Sequence, residues 1–322
     1  MAKVVISHRL HDDGMAVLEN AGVDVVITNS GDPKVMLPEL KDADGVIIRI
    51  GSIDRETMEQ CPKLKVIGRP GVGVDDVDVE AAIELGIPVV IAPGANSRSV
   101  AEHAMAMMFA CAKDMMRSDR EMRKGNFGIR SSYKAYELGG KTLGLLGYGH
   151  IVAGMAAGIG MKVLVYDPFI KKEIVEAQGD GYREDMHDIL READVVSIHT
   201  PLTPQTKNMI GEAELRMMKK DGILINCARG GIVDEAALNK ALDENWIHSA
   251  GTDVVVHEPI DPADPIFHHD NIVVTPHMAG QTREAASGVA TLAAEGTVAV
   301  ISGQKWDKVC NPKAYEHPRW NK

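Results

Sequence analysis

One stretch of the sequence, residues 142–168, constrains the fold more than any other. It reads TLGLLGYGHIVAGMAAGIGMKVLVYDP. A short apolar run at 142–146, typical of a strand buried on both faces, leads directly into the glycine turn 147–149. A segment rich in small apolar residues follows, and a second apolar run at 162–166 ends at Asp167. The order strand, glycine turn, helix, strand and acid predicts a βαβ unit.

The chemistry of this unit suits a dinucleotide. Gly147 and Gly149 allow the main chain to approach a pyrophosphate, and the start of the following helix offers free N–H groups and a partial positive charge. Asp167 ends the second strand, where its carboxylate can accept hydrogen bonds from ribose hydroxyls. Val152 stands where the pattern G-x-G-x-x-G has its third glycine. The stretch by itself is therefore also compatible with a βαβ unit that binds no nucleotide.

Length and composition describe a globular chain with two domains. The 322 residues are enough for two cores, and the net charge of -11 argues against nucleic acid or an anionic membrane as partner. Cys61, Cys111, Cys227 and Cys310 have no paired spacing, which predicts reduced thiols in a cytoplasmic protein. No signal peptide is visible, and the most apolar segment, 104–112, is too short to span a bilayer.

Strand and helix patterns alternate along the chain, which predicts parallel sheets with helices on both faces. Ser99 and Glu102 form a predicted capping box that opens a long helix to about Lys124. A second long helix is predicted over 283–302. The predicted strands are 3–7, 23–28, 45–50, 64–68, 88–91, 142–146, 162–166, 194–199, 222–226, 249–255 and 272–275.

Three polar residues follow predicted strands late in the chain: Arg229, Glu258 and His277. Ligands of an open parallel sheet bind at the carboxyl ends of its strands, so these side chains are expected to converge beside the glycine turn. An arginine can grip a carboxylate, a histidine can exchange a proton with a hydroxyl, and a carboxylate favours the imidazolium. Each residue alone could be an ordinary surface or turn residue. Together, with a nicotinamide, they would support hydride transfer at a carbon beside a carboxylate.

The sequence resembles the D-isomer-specific 2-hydroxyacid dehydrogenase family, close to its D-3-phosphoglycerate dehydrogenase branch. The resemblance covers essentially the full length. The segments that carry it are 65–78 (KVIGRPGVGVDDVD), 92–103 (APGANSRSVAEH), 139–149 (GGKTLGLLGYG), 161–168 (MKVLVYDP), 195–202 (VVSIHTPL), 226–235 (NCARGGIVDE), 253–259 (DVVVHEP) and 275–282 (TPHMAGQT).

The resemblance implies two doubly wound α/β domains with parallel sheets. A Rossmann-type NAD-binding domain, residues 98–288, is expected as an insertion in a flavodoxin-like substrate-binding domain. That second domain is discontinuous and comprises residues 1–97 and 289–322. A homodimer formed through the nucleotide domain is also implied.

Roles of single residues follow from the resemblance as well. Arg229, Glu258 and His277 match the catalytic residues, and Asp253 matches an acid near the nicotinamide amide. The implied cofactor-binding residues are Gly147, Gly149, His150, Ile151, Asp167, His199, Pro201, Cys227, Ala228, Asp253, His277 and Gly280. A buried structural role explains His199 equally well. The implied substrate-binding residues are Arg49, Gly51, Ser52, Arg69, Val72, Gly73, Arg229 and His277.

The substrate residues divide into two kinds. Backbone amides around 50–52 and at 72–73 are expected to meet the substrate carboxylate. Arg49, Arg69 and Arg130 could meet a second anionic group, although surface salt bridges explain these arginines equally well.

Two departures from the family pattern bear on the cofactor. The segment 151–160 is about three residues shorter than in family members, which would change the pyrophosphate-facing end of the helix and weaken cofactor binding. Asp76 stands where the family usually has asparagine, a minor change. Asp167 would repel a 2′-phosphate, which favours NAD over NADP.

The pair His268 and His269 has no third ligand at useful spacing, so it is read as an exposed loop and no metal is expected.

The expected function is an NAD-dependent oxidoreductase that interconverts a small anionic D-2-hydroxy acid and its 2-oxo acid, such as phosphoglycerate, hydroxypyruvate or glyoxylate. The alternative is a nucleotide-sensing or catalytically silent binding protein of the same fold. Intact Arg229, Glu258 and His277 favour chemistry, because sensing alone needs no proton donor.

Overall fold

The computed structural model describes residues 1–320; the last two residues lie outside that range. The chain forms two compact units. Unit 1 contains Met1–Ser97 and the chain from Gly280 onward, and unit 2 is Arg98–Ala279. The second junction therefore precedes residue 280 rather than the expected residue 289. The end of the predicted substrate-binding domain, residues 321 and 322, falls outside the described chain.

Twelve strands and twelve α-helices are present in the described chain. The strands are β1 Lys3–Ile6, β2 Asp24–Ile27, β3 Gly45–Ile47, β4 Val66–Gly68, β5 Val89–Val90, β6 Thr142–Leu146, β7 Lys162–Tyr166, β8 Gly181–Tyr182, β9 Val195–Ile198, β10 Ile223–Asn226, β11 Ser249–Thr252 and β12 Ile272–Val274. The helices are α1 Asp12–Asn20, α2 Pro33–Leu40, α3 Arg55–Glu59, α4 Val79–Glu84, α5 Ser97–Ala112, α6 Met115–Arg123, α7 His150–Gly158, α8 Lys172–Glu176, α9 Met186–Glu192, α10 Glu212–Met217, α11 Glu235–Asp243 and α12 Arg283–Ile301.

Short polar side chains define where many helices begin. Each of these residues precedes a helix, and its side-chain oxygen accepts a hydrogen bond from a backbone N–H of the first turn, which satisfies a donor that the helix leaves unpaired. They are Asp32, Asp54, Asp78, Asp185, Asp234 and Thr282.

Unit 1 is built on a parallel sheet with the strand order β2-β1-β3-β4-β5. This is the doubly wound order typical of flavodoxin-like folds. Helix α12 packs against α1 and over β3 and β4. Its small buried residues Ala290, Ala293 and Ala294 allow the close approach.

Helix α12 is the one described helix long and apolar enough to meet a length-and-composition criterion for crossing a membrane. Its packing accounts for its apolar character, because the buried face covers the sheet of unit 1. Helix α12 is therefore a core helix of unit 1.

Unit 2 is built on a seven-stranded parallel sheet with the order β12-β11-β10-β9-β6-β7-β8. Strands β6 to β8 extend in one direction from the centre, and β9 to β12 extend in the other. The order reverses between β6 and β9, which pair directly. A crevice at such a reversal is the usual ligand site of a Rossmann-type sheet. The predicted fold class, two doubly wound parallel-sheet α/β domains, is confirmed.

The predicted long helix from Ser99 to Lys124 is wrong in two respects. Helix α5 begins at Ser97, so Ser99 lies buried within its first turn rather than at the cap. The helix then stops at Ala112, and Asp114 adopts a left-handed conformation with φ 51° before α6 begins. Asp is among the residues that tolerate this conformation, and a continuous helix cannot contain it.

Candidate active site

The glycine turn lies between β6 and α7 at the centre of the unit 2 sheet. Gly147 has φ 85°, and a Cβ atom there would lie 2.7 Å from the carbonyl oxygen of His199, so a larger residue is excluded. Gly149, with φ -73° and ψ 71°, is the centre of an inverse γ-turn in which the His150 N–H donates to the carbonyl of Tyr148 at 2.9 Å.

The first turn of α7 presents few free donors. The Ala153 N–H donates to the carbonyl of Gly149 at 3.0 Å, as in a regular helix. Within residues 1–320, no protein acceptor pairs with the N–H groups of Ile151 and Val152. The side chain of Val152, which replaces the third glycine, is buried in the core. The helix start can therefore offer an anion the amides of Ile151 and Val152, but not the amide of His150.

Asp167 lies next to the glycine turn, as predicted. One of its carboxylate oxygens accepts the N–H of Tyr148 at 2.9 Å, and the other accepts the N–H of Phe169 at 2.9 Å. The Tyr148 hydroxyl donates to Asp180 at 2.9 Å, and burial together with that contact raises the pKa of Tyr148 to about 12. These bonds fix the orientation of the carboxylate beside the turn.

His199 follows β9 and lies under the glycine turn. Its ring is so close that a Cβ atom on Gly149 would be 2.9 Å from the ring. Ser197 hydrogen-bonds Nε2 of His199 at 2.9 Å, and burial lowers the pKa of His199 to about 4. The ring is thus neutral near pH 7, and it supports the turn. Pro201 is exposed two residues further on.

The loop after β10 carries Cys227, Ala228 and Arg229. The buried amide side chain of Asn226 closes this loop, because it accepts the N–H of Ala228 at 3.0 Å and donates to the carbonyl of Arg229 at 2.9 Å. The half-buried guanidinium of Arg229 donates to the carbonyl of Ala228 at 2.7 Å. Asn226 was not among the predicted site residues, although it belongs to the motif that identified Arg229.

Cys227 was predicted among the cofactor-binding residues. Its thiol is buried and lies 3.7 Å from the sulfur of Met107. Burial, reinforced by the nearby charge of Asp253, raises the pKa of Cys227 to about 12. The side chain is therefore a core residue, and contact with a cofactor would involve the backbone.

Asp253 has a different environment from the one expected for an acid that binds a nicotinamide amide. The residue is 1% exposed. One carboxylate oxygen accepts the hydroxyl of Thr275 and the N–H of Met278, and the other accepts the N–H of Ala279. Its side chain is thus committed to the loop that carries His277.

His277 and Glu258 form a direct pair. Nδ1 of His277 lies 2.8 Å from a carboxylate oxygen of Glu258, and the two side chains are 48% and 39% exposed. His277 follows β12, Glu258 follows β11, and Arg229 follows β10, so the three residues come from the carboxyl ends of adjacent strands. The three residues therefore follow neighbouring strands at one edge of the unit 2 sheet, where the His277–Glu258 pair is partly exposed.

The predicted substrate residues of unit 1 do not all have free donors. The N–H of Ser52 donates to the carbonyl of Gly31 at 3.2 Å, so this amide is already paired. Arg49 is exposed, and its guanidinium donates to the carbonyl of Arg9 at 3.3 Å. Within the described chain, no hydrogen bond pairs the N–H of Gly51.

Arg69 holds the loop that contains Val72 and Gly73. Its guanidinium lies 3.0 Å from Asp76 and donates to the carbonyls of Ile48 at 2.7 Å and Gly73 at 3.3 Å. These contacts favour the salt-bridge interpretation of Arg69. The amides of Val72 and Gly73 have no acceptor among residues 1–320.

Three further residues named in the sequence analysis have the following surroundings. Gly280 belongs to unit 1 and packs against Asn96. Arg130 lies over the ring of Phe127 at 5.4 Å in a short 3₁₀ turn of unit 2. His269 is not the exposed loop residue expected, because its side chain is 7% exposed and hydrogen-bonds Asn239. Among the described residues, no group of three His, Cys, Asp or Glu side chains could hold a metal.

The comparisons with known proteins agree with this geometry. Residues 105–279 match the family described as D-isomer specific 2-hydroxyacid dehydrogenase, NAD binding domain. The glyoxylate reductase of Korarchaeum cryptofilum is 38% identical over 278 residues, which cover 84% of this chain and 83% of that enzyme. The chain belongs to the D-isomer-specific 2-hydroxyacid dehydrogenase family. The predicted family is thus confirmed.

Two other proteins extend the comparison. The D-3-phosphoglycerate dehydrogenase of Methanocaldococcus jannaschii is 41% identical over 316 residues, 97% of this chain. The chain spans only 60% of the length of that relative. The structure of D-lactate dehydrogenase with NAD+ from Lactobacillus jensenii superposes with a TM-score of 0.80 at 30% identity, over 95% of this chain and 99% of that one.

Proposed function

We propose that this chain is an NAD-dependent oxidoreductase that interconverts a small D-2-hydroxy acid and its 2-oxo acid. The observation that carries the proposal is the His277–Glu258 pair, 2.8 Å apart, at the same sheet edge as the Arg229 loop. A pair of this kind supplies a proton donor oriented by a carboxylate, which a purely structural or sensing site does not need.

The residues present fit a bound NAD. Asp167 would accept hydrogen bonds from the ribose, and the free N–H groups of Ile151 and Val152 would face the diphosphate. The carboxylate of Asp167 disfavours a 2′-phosphate, which supports NAD over NADP. When bound, the nicotinamide supplies or accepts the hydride.

The protein groups contribute binding and proton transfer. Arg229 would hold the substrate carboxylate through its planar guanidinium. Because Nδ1 of His277 is paired with Glu258, Nε2 is the ring nitrogen that remains to give a proton to the substrate oxygen. In reduction the imidazolium is the proton donor, and in oxidation the neutral ring accepts the proton. Glu258 stabilises the imidazolium and fixes the orientation of the ring.

Glyoxylate, hydroxypyruvate and the oxo acid of phosphoglycerate are the proposed substrates. Glyoxylate reductase and D-3-phosphoglycerate dehydrogenase are the names of the relatives described above. Because Arg69 is engaged by Asp76 and two carbonyls, Arg49 is the better candidate to meet a second anionic group on a substrate.

A homodimer and a cytoplasmic location complete the proposal. Residues 109–133 expose several large apolar side chains, a density that marks interaction surfaces on folded proteins. They are Phe109, Met115, Met116, Met122, Phe127 and Tyr133. All belong to unit 2, which supports association through the nucleotide-binding part of the chain. The four cysteines are free, consistent with a reducing compartment.

The test is to mix the protein with NADH and a panel of 2-oxo acids and to follow NADH absorbance. We expect oxidation of NADH with at least one acid of the panel. The His277→Ala variant should lower kcat by about 10²- to 10⁴-fold on that acid. Cofactor oxidation at the parent rate in His277→Ala would remove this residue from the mechanism, and no oxidation by the parent would contradict the proposal. The alternative of a silent nucleotide sensor has no support in the comparisons.

A further inference from the structure

We propose that His103, on helix α5, is a positioning residue for the reaction proposed above. The imidazole of His103 holds Thr275, and Thr275 with Asp253 holds the loop that presents His277. The inference rests on the proposed function for its kinetic consequence. Its structural basis lies entirely within unit 2.

The face of α5 that meets the sheet explains the location of His103. His103, Met107 and Cys111 are spaced by four residues, so they lie along one side of the helix. Cys111 donates to the carbonyl of Ala250. Met107 packs so closely against Gly251 that a Cβ atom on this glycine would lie 3.1 Å from Met107. The glycine lets the helix lie close to β11. His103 therefore reaches the carboxyl end of β11, beside Asp253.

Hydrogen-bond donors and acceptors determine the protonated nitrogen of His103. The hydroxyl of Thr275 has one proton, and it donates that proton to the carboxylate of Asp253. Nε2 of His103 lies 3.0 Å from the same hydroxyl oxygen, so the oxygen must accept there and Nε2 must carry a hydrogen. Nε2 also lies 3.6 Å from Asp253. His103 thus donates to the hydroxyl of Thr275, which in turn donates to the buried carboxylate of Asp253.

The conformation of His277 shows why such support is needed. His277 has φ 50°, a left-handed conformation that costs a non-glycine residue of order 1 kcal/mol or more. Its N–H donates to the carbonyls of Asp253 at 2.7 Å and Thr275 at 3.0 Å. The two residues that hold the His277 backbone are therefore the same two that His103 contacts. Loss of the His103 contact would release Thr275 and allow His277 to leave the position that pairs it with Glu258.

The test compares His103→Leu, which removes the donor, with His103→Gln, which keeps a side-chain N–H. For His103→Leu we expect kcat to fall about tenfold or more while KM for NADH changes less than about threefold, because Asp167 and the amides of Ile151 and Val152 are not part of this network. His103→Gln should recover most of the loss. His187→Leu, on α9 away from the network, is the matched control.

Two readouts separate a positioning role from simple stability. In a double-mutant cycle with Thr275→Val, kcat of the double variant should be no lower than kcat of the less active single variant, because both changes remove the same hydrogen bond. Losses that multiply would overturn the inference. Nitrogen NMR of labelled histidines should show a shifted His277 Nδ1 signal in folded His103→Leu. An unchanged His277 signal would also overturn it, and this readout holds even if no 2-oxo acid proves to be a substrate.

Discussion

Replacing the buried carboxylate of Asp253 by an amide tests the bracing role that the structure assigns to it. In Asp253→Asn the side chain keeps its size, but one of its two oxygens becomes an NH₂ group. One oxygen faces the N–H of Ala279, and the other faces the N–H of Met278 and the hydroxyl of Thr275. In either orientation of the amide, at least one donor then faces another donor.

The magnitude follows from these contacts. A buried N–H left without an acceptor costs about 1–3 kcal/mol, and the bonds that remain lose the extra strength of a charged acceptor. We therefore expect Asp253→Asn to destabilise unit 2 by about 2–4 kcal/mol. The loss should concentrate in the His277 loop, because all three bonds to the carboxylate come from that loop.

The assay is urea unfolding combined with hydrogen exchange of the Met278 and Ala279 amides. Asp234→Asn is the matched control: Asp234 caps α11 by accepting the N–H of Ala237, and asparagine caps helices as well as aspartate does. The control should change stability by less than about 0.5 kcal/mol. If Asp253→Asn is equally mild and both loop amides keep their protection, the bracing role is refuted.

Three further predictions concern the turn, the acid pair and the buried histidine. Glu258→Gln should lower kcat by about tenfold or more, because His277 loses the carboxylate that orients its ring; turnover at the parent rate would exclude the pair from proton transfer. Gly147→Ala should destabilise unit 2 by about 2 kcal/mol or more and abolish NADH binding, measured by calorimetry, and native-like binding would contradict the contact with His199. Because His199 is buried in its neutral form, the free energy of unfolding should fall by up to about 3 kcal/mol as the pH falls from 6.5 to about 4. In this range only the unfolded form binds the proton. In His199→Asn this part of the pH dependence should disappear, and a slope identical to that of the parent would show that His199 titrates normally.

The fold was largely predictable because apolar runs and glycine turns are local signals. Strand β8, Gly181–Tyr182, was not predicted, since two residues give no periodicity. The break at Asp114 also has no local signal, because left-handed conformations of single polar residues depend on the packing of the helices around them.

The candidate site was predictable where strand ends bring residues together. Arg229, Glu258 and His277 were placed on one sheet edge by the parallel topology alone. The network of His103, Thr275 and Asp253 was not, because His103 reaches it from a helix 172 residues away in sequence from Thr275. No spacing rule along the chain connects such residues, and the register of α5 on β11 decides the contact.

The amide pairing in the first turn of α7 has a consequence for cofactor affinity. Among the described residues, the N–H groups of Ile151 and Val152 are available to a diphosphate. The N–H of His150 instead donates to the carbonyl of Tyr148. Each hydrogen bond to a charged group that is not made is worth about 1.5–3 kcal/mol, roughly a tenfold or larger weakening of Kd. Half-occupancy of the site would then require a higher dinucleotide concentration than in a turn whose three amides all face the diphosphate.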